Sequence, residues 1–281
     1  MMQPFLIREL KTSEFHESLI FLYRSFNRTI PPDLKKQEKL LISLIKYGIA
    51  KFLVAEEDGK IIGLGGIFFF GNVCSIGYMA VLPEVRCKGL GTSIFNNLVK
   101  IGKMKGCKTF MLYASELGAP IYQKFGFRSN YRTTAYDLPS QLHESQKLNE
   151  NVKVLKKFPE WVANIDRAAI GFDRREFLRI KLSHGSKLII VEKEGYALIS
   201  GLRLGPLIAK NLHTAVEIIK MGILLGANNI IFPKHSKFSH RLFDLIKLTE
   251  RENEVNLKMI YGKNLLQKLD YFYALGTYAK G

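Results

Sequence analysis

A short basic, glycine-rich segment, Arg86–Gly91 (RCKGLG), is the first candidate for chemistry in this chain. It follows an apolar run that reaches Pro83 and precedes an amphipathic run, so the order is strand, loop and helix. A helix N-terminus leaves about four backbone N–H groups without partners and carries partial positive charge. Glycines let that backbone approach a phosphate closely, so the pattern predicts a pyrophosphate site. The alternative is an ordinary strand–helix turn.

A second motif lies downstream at Ala119–Phe127 (APIYQKFGF). The two motifs, in this order, resemble those of the GNAT superfamily of N-acetyltransferases, which in loose form are V-x-P-x-x-R-x-x-G-x-G and A-x-x-x-Y-x-x-x-G-F. The matching residues are Val81, Pro83, Arg86, Gly89 and Gly91, then Ala119, Tyr122, Gly126 and Phe127. Ala119 is one position closer to the tyrosine than the pattern has it. The resemblance covers roughly residues 5–138.

This resemblance implies acetyl-CoA as the co-substrate. Its pantetheine arm and thioester carbonyl would be held by backbone groups of Met79, Ala80 and Val81. Its pyrophosphate would be bound by N–H groups of Arg86, Cys87, Lys88, Gly89, Leu90, Gly91 and Thr92. Tyr122 would protonate the leaving thiolate, because the ordinary pKa of a phenol, near 10, is close to the ~8.5 of a thiol. Packing of Tyr122 against the sheet is the structural alternative.

The general base is less clear from the sequence. Many members of the family place a glutamate on the strand before the loop, but Val73–Leu82 contains no acidic residue. A water relayed through Ser115, backbone carbonyls or Glu116 is one solution, and Ser115 stands where the family often has asparagine. The expected acceptor is a primary amine of a small molecule or peptide. Tyr196 and Arg203, in the second half, are further candidates for lining its pocket.

The elements that must position these residues alternate along the first half. Hydrophobic periodicity and capping signals predict the order β-α-α-β-β-β-α-β-α-β, an α/β fold with a mixed sheet and helices on its faces. The uncharged run from Ile61 to Pro83 is long enough to imitate a membrane span, but its glycines and Gly71-Asn72 favour a buried β-hairpin. We predict a catalytic domain at 1–138, a polar linker at 139–158 and a second domain at 159–281.

The second half contains a weak copy of the first. Residues 52–65 match 188–201 at an offset of 136, and 99–112 match 219–232 at an offset of 120. The second copy is therefore 136 − 120 = 16 residues shorter, and the loss includes the counterpart of the glycine loop. Together with Gly171–Arg174 (GFDR) and Gly205–Ala209 (GPLIA), the repeat resembles a GNAT subgroup with a degenerate second domain. We expect one cofactor site per chain.

Two aspartates of the second half, Asp166 and Asp173, are seven residues apart and would share a face on a continuous helix. They could bind a cationic amine. Helix capping and a salt bridge to Arg167 or Arg174 is the interpretation we favour.

Composition restricts the remaining options. The net charge of +17 is spread evenly, +8 over residues 1–138 and +9 over the rest, so nucleic-acid binding is not favoured. Three cysteines and six histidines, among them His184, His213, His235 and His240, show no metal-ligand spacing. The odd, irregular cysteines suggest a reducing, cytoplasmic location. A non-catalytic CoA-binding sensor or interaction module is the alternative function, and oligomeric state is open.

Overall fold

The computed structural model describes residues 5–116, 118–141, 149–234, 242 and 245–277. The chain divides into two compact units, Met1–Leu112 and Tyr113–Ala279. The architecture is mixed α/β, as the alternation of strand and helix patterns predicts.

The first unit is built on five strands and three helices. In chain order they are β1 (Leu6–Glu9), α1 (Phe15–Ser25), α2 (Leu34–Lys46), β2 (Ala50–Glu57), β3 (Lys60–Phe70), β4 (Val73–Val81), α3 (Leu90–Met104) and β5 (Thr109–Ala114), of which β5 ends just beyond the unit. The sheet follows the same order, β1 to β5. Neighbours from β1 to β4 pair antiparallel, and β4 pairs with β5 in parallel.

Close packing of α3 on the sheet holds this unit together. Ile94 and Leu98 lie one turn apart on α3 and are fully buried. A Cβ at Gly65 of β3 would lie 2.6 Å from Ile94 Cγ2 and 2.9 Å from Leu98 Cδ1, so only glycine allows the helix this close. The uncharged run from Ile61 to Pro83 forms the β3–β4 hairpin, as predicted. Among the described residues no helix is both long and apolar enough to span a membrane.

Two cysteines of the first unit form a disulfide, which the sequence reading did not foresee. Cys74 lies on β4, Cys107 lies two residues before the start of β5, and their Cα atoms are 6.1 Å apart. The parallel register pairs Cys74 with Phe110 and brings the two cysteines together across the α3 crossover. A pairing that depends on a crossover leaves no short spacing that could be recognised in the sequence. Cys87 is free and exposed.

The second unit contains the remaining elements. They are α4 (Ala119–Lys124), β6 (Arg128–Asp137), β7 (Val152–Leu155), α5 (Glu160–Ile170), α6 (Arg175–Ser183), β8 (Lys187–Val191), β9 (Gly195–Ser200), β10 (Arg203–Ala209), α7 (Leu212–Leu224), β11 (Asn229–Pro233), β12 (Thr249–Gly262) and β13 (Phe272–Ala274). Its strands follow the order β12-β6-β11-β10-β9-β8-β7, with β13 paired to β10.

Strand β6 is the last strand of the predicted domain 1–138, and in the structure it lies in the second unit. It pairs antiparallel with β11 on one side and β12 on the other, so it lies inside the sheet of the second unit. The segment predicted as a linker, 139–158, contains β7, which pairs antiparallel with β8; residues 142–148 of that segment lie outside the described part. These pairings join strands that are far apart in the sequence. The composition of a segment does not indicate which distant strand it pairs with.

The internal repeat is visible as matching elements. The β2–β3 hairpin corresponds to β8–β9, and the α3–β5 pair corresponds to α7–β11. The junctions before the two helices differ. Eight residues, Leu82–Gly89, separate β4 from α3, whereas only Lys210 and Asn211 separate β10 from α7. The Asn211 side chain caps α7 by accepting a hydrogen bond from the Thr214 N–H at 2.9 Å. At this junction, which is described in full, the second unit has no counterpart of the glycine loop.

Candidate active site

A β-bulge shapes the end of β4. Leu64 pairs with Ala80 and Gly66 pairs with Gly77, so Tyr78 and Met79 together face Gly65 alone. Tyr78 adopts a left-handed φ of +58°, a conformation of some cost for a bulky residue. Its ring packs at 5.3 Å from Phe52 and 5.9 Å from Phe68, between ring centroids, which fixes the bulge. The bulge bends the strand just before the predicted thioester site.

The two parallel strands β4 and β5 pair over a short stretch. Within the first unit, the described ladder joins Val73–Ser75 to Thr109–Met111 and ends there. Met79, Ala80 and Val81 lie beyond that last pair, on the part of β4 that still pairs with β3 through Ala80 and Val81. Their edge toward β5 can thus offer backbone N–H and C=O groups to a ligand. This is the stretch predicted to hold pantetheine and the thioester carbonyl.

The glycine loop leads from β4 into α3. After a short 3₁₀ turn at Pro83–Val85, Cys87 and Gly89 adopt left-handed φ values of +63° and +80°. The first α-helical bond described runs from Ser93 N–H to Gly89 C=O, at 2.9 Å. The N–H groups of Leu90, Gly91 and Thr92 therefore form the leading turn, where N–H groups lack partners within the helix. Cys87, Lys88 and Gly89 are exposed.

The surface of that turn is open. A Cβ at Gly89 would have nothing within 4 Å, and one at Gly91 would meet only Val81 Cγ2, at 3.5 Å. Glycine at position 89 is thus favoured by the left-handed backbone and not by lack of space. Glycine at position 91 leaves the backbone at the start of α3 without a covering side chain. An anion could reach the N–H groups and the positive end of the helix dipole directly.

The Arg86 side chain is held by two hydrogen bonds to backbone carbonyls near the loop. Its Nε donates to the Val81 carbonyl at 3.1 Å and its Nη2 donates to the Ser25 carbonyl, at the end of α1, at 2.9 Å. The guanidinium therefore ties the end of β4 to α1 and keeps a positive charge beside the loop. Its geometry indicates a positioning role, in addition to the positive charge that it brings to the loop.

In the second unit, Ser115 and Tyr122 lie side by side at α4. The Ser115 hydroxyl accepts a hydrogen bond from Gly118 N–H at 3.2 Å, and the Ser115 carbonyl accepts one from Ala119 N–H at 3.0 Å. A Cβ at Gly118 would lie 3.3 Å from Ser115 Oγ and 3.5 Å from Tyr122 Cε2. Ser115 thus forms the turn that starts α4. Leu117, within that turn, is outside the described residues.

The environment of Tyr122 determines its protonation. Its ring centroid is 6.4 Å from that of Phe127, and the Phe127 ring stacks on Tyr261 at 5.6 Å. Burial raises the pKa of Tyr122 to about 12, because a phenolate would be poorly solvated there. The hydroxyl therefore keeps its proton at physiological pH and is available as a proton donor.

Glu116 borders a pocket in the second unit. Its Oε1 lies 3.7 Å from Arg132 Nη1, and both side chains are well exposed. The pocket has a volume of about 270 Å³ and is lined by Glu116, Ala119, Pro120, Gln123, Arg132, Val255 and Leu257. The paired charges could meet an ammonium and an anionic group of a ligand, and the substrate role of Glu116 stays a prediction.

The other two candidates for the acceptor pocket serve internal contacts. Tyr196 is completely buried and its hydroxyl donates to the Asp166 carboxylate. Arg203 donates through Nε to the Asn229 side-chain oxygen at 2.7 Å. A buried tyrosine cannot contact a ligand at the surface, so the structure gives Tyr196 a role in the core.

The two aspartates follow the structural interpretation. Asp166 accepts two hydrogen bonds from the buried Arg174, at 3.0 and 2.9 Å. Asp173 accepts from the backbone N–H of Arg175 at 2.9 Å and from its Nε at 2.8 Å, and so forms the turn before α6. Neither carboxylate is directed to an amine.

Sequence reasoning missed one buried group, Lys258 of β12, which is 2 % exposed and lies opposite Tyr131 of β6. The available signal was the alternation of Lys258 with Leu257 and Met259 in a strand pattern. A lysine at such a position usually lies on the exposed face of the sheet, so the pattern did not predict a buried side chain. As for metals, no group of three or more potential ligands occurs among the described residues, and His235 and His240 lie outside them.

Comparison with known proteins agrees with this architecture. Two family models described as "Acetyltransferase (GNAT) domain" match residues 48–129 and 162–274. An uncharacterized N-acetyltransferase of Bacillus subtilis (strain 168), YitH, is 30% identical over 200 residues, which cover 67% of this chain and 68% of that protein. A glucosamine 6-phosphate N-acetyltransferase of Trypanosoma brucei brucei is 30% identical over 97 residues, covering 32% of this chain and 66% of its own.

A solved structure extends the comparison to the whole chain. A protein of Pyrococcus horikoshii, provisionally described as an acetyltransferase, superposes with a TM-score of 0.92 at 30% identity. The match covers 100% of this chain and 97% of that one. The tandem arrangement of two similar domains is therefore shared along the full length.

Proposed function

Since the chain belongs to the GNAT family of acetyltransferases, we propose that it transfers the acetyl group of acetyl-CoA to a primary amine of a small molecule or peptide by direct attack. It is an acyltransferase of the GNAT type, a family that uses acetyl-CoA as co-substrate and acts on amine acceptors. The donor in this chain, the acceptor class and the roles of single residues belong to the proposal.

The observation that carries the proposal is the loop between β4 and α3. The pyrophosphate of acetyl-CoA would accept hydrogen bonds from the N–H groups of Leu90, Gly91 and Thr92 at the open start of α3. Lys88 and the braced Arg86 would add positive charge. The thioester would lie along Met79–Val81, where the backbone extends past the β4–β5 ladder.

The chemistry needs one proton donor and one proton acceptor. The neutral amine attacks the thioester carbonyl carbon, so that a C–N bond forms while the C–S bond breaks. The departing thiolate takes the Tyr122 proton, and the new amide nitrogen loses its extra proton to a base. Because burial raises the pKa of Tyr122 to about 12, the phenol is protonated when the thiolate leaves. The same shift widens the gap to the ~8.5 of a thiol, so the proton transfer is less favourable than from an ordinary phenol.

Incubation of the protein with acetyl-CoA and a panel of amines tests the function. The panel would contain amino acids, polyamines, amino sugars and their phosphates, and peptides with free N-termini. We expect thiol release that depends on one class of amine, with a mass increase of one acetyl group on that amine. Binding of acetyl-CoA without transfer to any amine would instead favour the CoA-binding sensor, for which the absence of an acidic residue on β4 is the supporting observation.

A further inference from the structure

A buried lysine lies at the centre of a polar cluster in the second unit. Lys258 of β12 faces Tyr131 of β6 across an antiparallel pair, and both side chains are buried. The Lys258 Nζ lies 3.2 Å from the Tyr131 hydroxyl and 3.4 Å from Gln267 Oε1. The Gln267 amide nitrogen donates to the Ile170 carbonyl at 2.8 Å, which fixes the orientation of that amide and directs its oxygen to the lysine.

The charges around Lys258 favour its neutral form. Its described polar partners are a phenol and an amide, and the charged group that acts on it is Arg174. Arg174 is itself paired with Asp166, which also accepts from Tyr196, so that carboxylate is already neutralised. Burial, with a smaller contribution from the Arg174 charge, lowers the pKa of Lys258 to about 7. A neutral amine can accept a proton from Tyr131 and donate one to Gln267.

A hydrogen bond connects this lysine to the end of β5. The buried Tyr131 hydroxyl is hydrogen-bonded to the hydroxyl of Tyr113. Tyr113 is only half-buried and lies on β5, two residues before Ser115. The three groups therefore form a chain that leads from a partly exposed phenol through a buried phenol to a buried amine.

We propose that Tyr113, Tyr131 and Lys258 form a proton relay that serves as the general base of acetyl transfer. The inference rests on the proposed function. The attacking nitrogen loses its proton to the Tyr113 oxygen, Tyr113 passes its own proton to Tyr131, and Tyr131 passes its own to Lys258. One N–H bond breaks at the substrate nitrogen and one N–H bond forms at Lys258. Each phenol gains one proton and gives up one, so both are protonated at the end. Tyr113 would contact the substrate; Tyr131 and Lys258 act through it.

The relay fits the composition of β4. In a family that often uses a glutamate there, the strand Val73–Val81 offers no carboxylate, so in this proposal the base comes from another element. A lysine that is neutral near physiological pH meets that requirement, whereas an exposed lysine with a pKa near 10.4 would already hold the proton.

The first arm of the test needs no turnover. In protein labelled with ¹³C at lysine Cε, one signal should titrate with a midpoint near pH 7 and be absent from Lys258→Met. Lys181→Met is the matched control, because Lys181 is equally buried, on α6, and its Nζ lies over the Phe177 ring. That variant should retain the signal. A Lys258 midpoint above about pH 9 would overturn the relay, whether or not any amine is acetylated.

The second arm measures kcat against pH at saturating acceptor, with the amine identified by the panel assay, because kcat reports the groups of the bound complex. We expect a rising limb near pH 7 in the parent and in Lys181→Met. Lys258→Met and Tyr131→Phe should lose the limb, with kcat reduced roughly 10²- to 10³-fold at pH 8 and the KM for acetyl-CoA unchanged. Lys258→Arg, which cannot deprotonate, should behave like Lys258→Met.

The two failures are distinguishable. If Lys258→Met keeps the rising limb and most of the kcat, the relay is wrong while the proposed function stands. If no amine is acetylated although Lys258 titrates near pH 7, the proposed function fails and the catalytic role of the relay fails with it. Circular dichroism of each variant shows whether it is folded before its kinetics are interpreted.

Discussion

At the scale of single residues, Tyr122 shows how burial defines a chemical role. The motif A-x-x-Y-x-x-x-G-F could be recognised from the sequence, because its residues are close together. The pKa shift could not, since it depends on the packing of α4 near Phe127 and Tyr261. The burial of Lys258 and its pKa shift could not be predicted either. Its position in the strand pattern suggests an exposed side chain until the pairing with β6 is known.

Substitution of Tyr122 tests its assignment as general acid. Tyr122→Phe keeps the ring and removes only the hydroxyl, whose proton the thiolate would take. We expect kcat to fall roughly 10²- to 10³-fold with acetyl-CoA affinity changed less than about twofold. Tyr261→Phe, a loss of the same hydroxyl within the same aromatic cluster, should keep the parent kcat. Parent-like turnover in Tyr122→Phe would remove Tyr122 from the mechanism.

The pH dependence follows from the direction of the same shift. A general acid must be protonated, and activity is lost as the pH rises through its pKa. An ordinary phenol would be half ionised at pH 10, whereas with a pKa of about 12 roughly 99% of Tyr122 keeps its proton there. We therefore expect kcat to stay level from about pH 8 to pH 10 in stopped-time assays. A fall centred near pH 10 would mean that Tyr122 is less buried in the working enzyme.

At the scale of elements, the order of strands and helices could be predicted because hydrophobic periodicity is local. Pairing could not. The β4 bulge, the Cys74–Cys107 disulfide and the place of β6 between β11 and β12 all depend on which strands become neighbours. The Arg86 contacts illustrate the consequence for the site. The motif identified the residue, but its bond to Ser25 at the end of α1 required the fold.

Two glycines with similar left-handed φ values allow the effect of the loop geometry on acetyl-CoA binding to be separated from its effect on stability. Gly89 and Gly48 have φ values of +80° and +70°, and a Cβ at either position would have nothing within 4 Å. Alanine at either site should cost about 1–2 kcal/mol of unfolding free energy. Only Gly89→Ala should weaken acetyl-CoA binding, by about tenfold, because it alters the N-cap of α3. Calorimetric titration and thermal melts measure both quantities; equal affinity losses in the two variants would exclude a specific role for the loop.

At the scale of the whole molecule, the repeat could be found in the sequence because the β-hairpin and the helix–strand pair kept their patterns. The family models at 48–129 and 162–274 agree with that tandem arrangement. The asymmetry between the copies lies in the strand–helix junctions. The first has eight residues with two left-handed positions, and the second has two residues and an asparagine cap.

That asymmetry leads to a definite expectation for ligand binding. A two-residue junction whose leading N–H group at Thr214 is already capped by Asn211 offers little room for a pyrophosphate. The second unit would then bind no cofactor at its own helix α7. One acetyl-CoA per chain is the consequence.

Isothermal titration calorimetry of the parent protein with acetyl-CoA, without an acceptor, tests this account most directly. The account predicts a single class of sites with a stoichiometry near one per chain. A stoichiometry near two, or the absence of any binding, would contradict it.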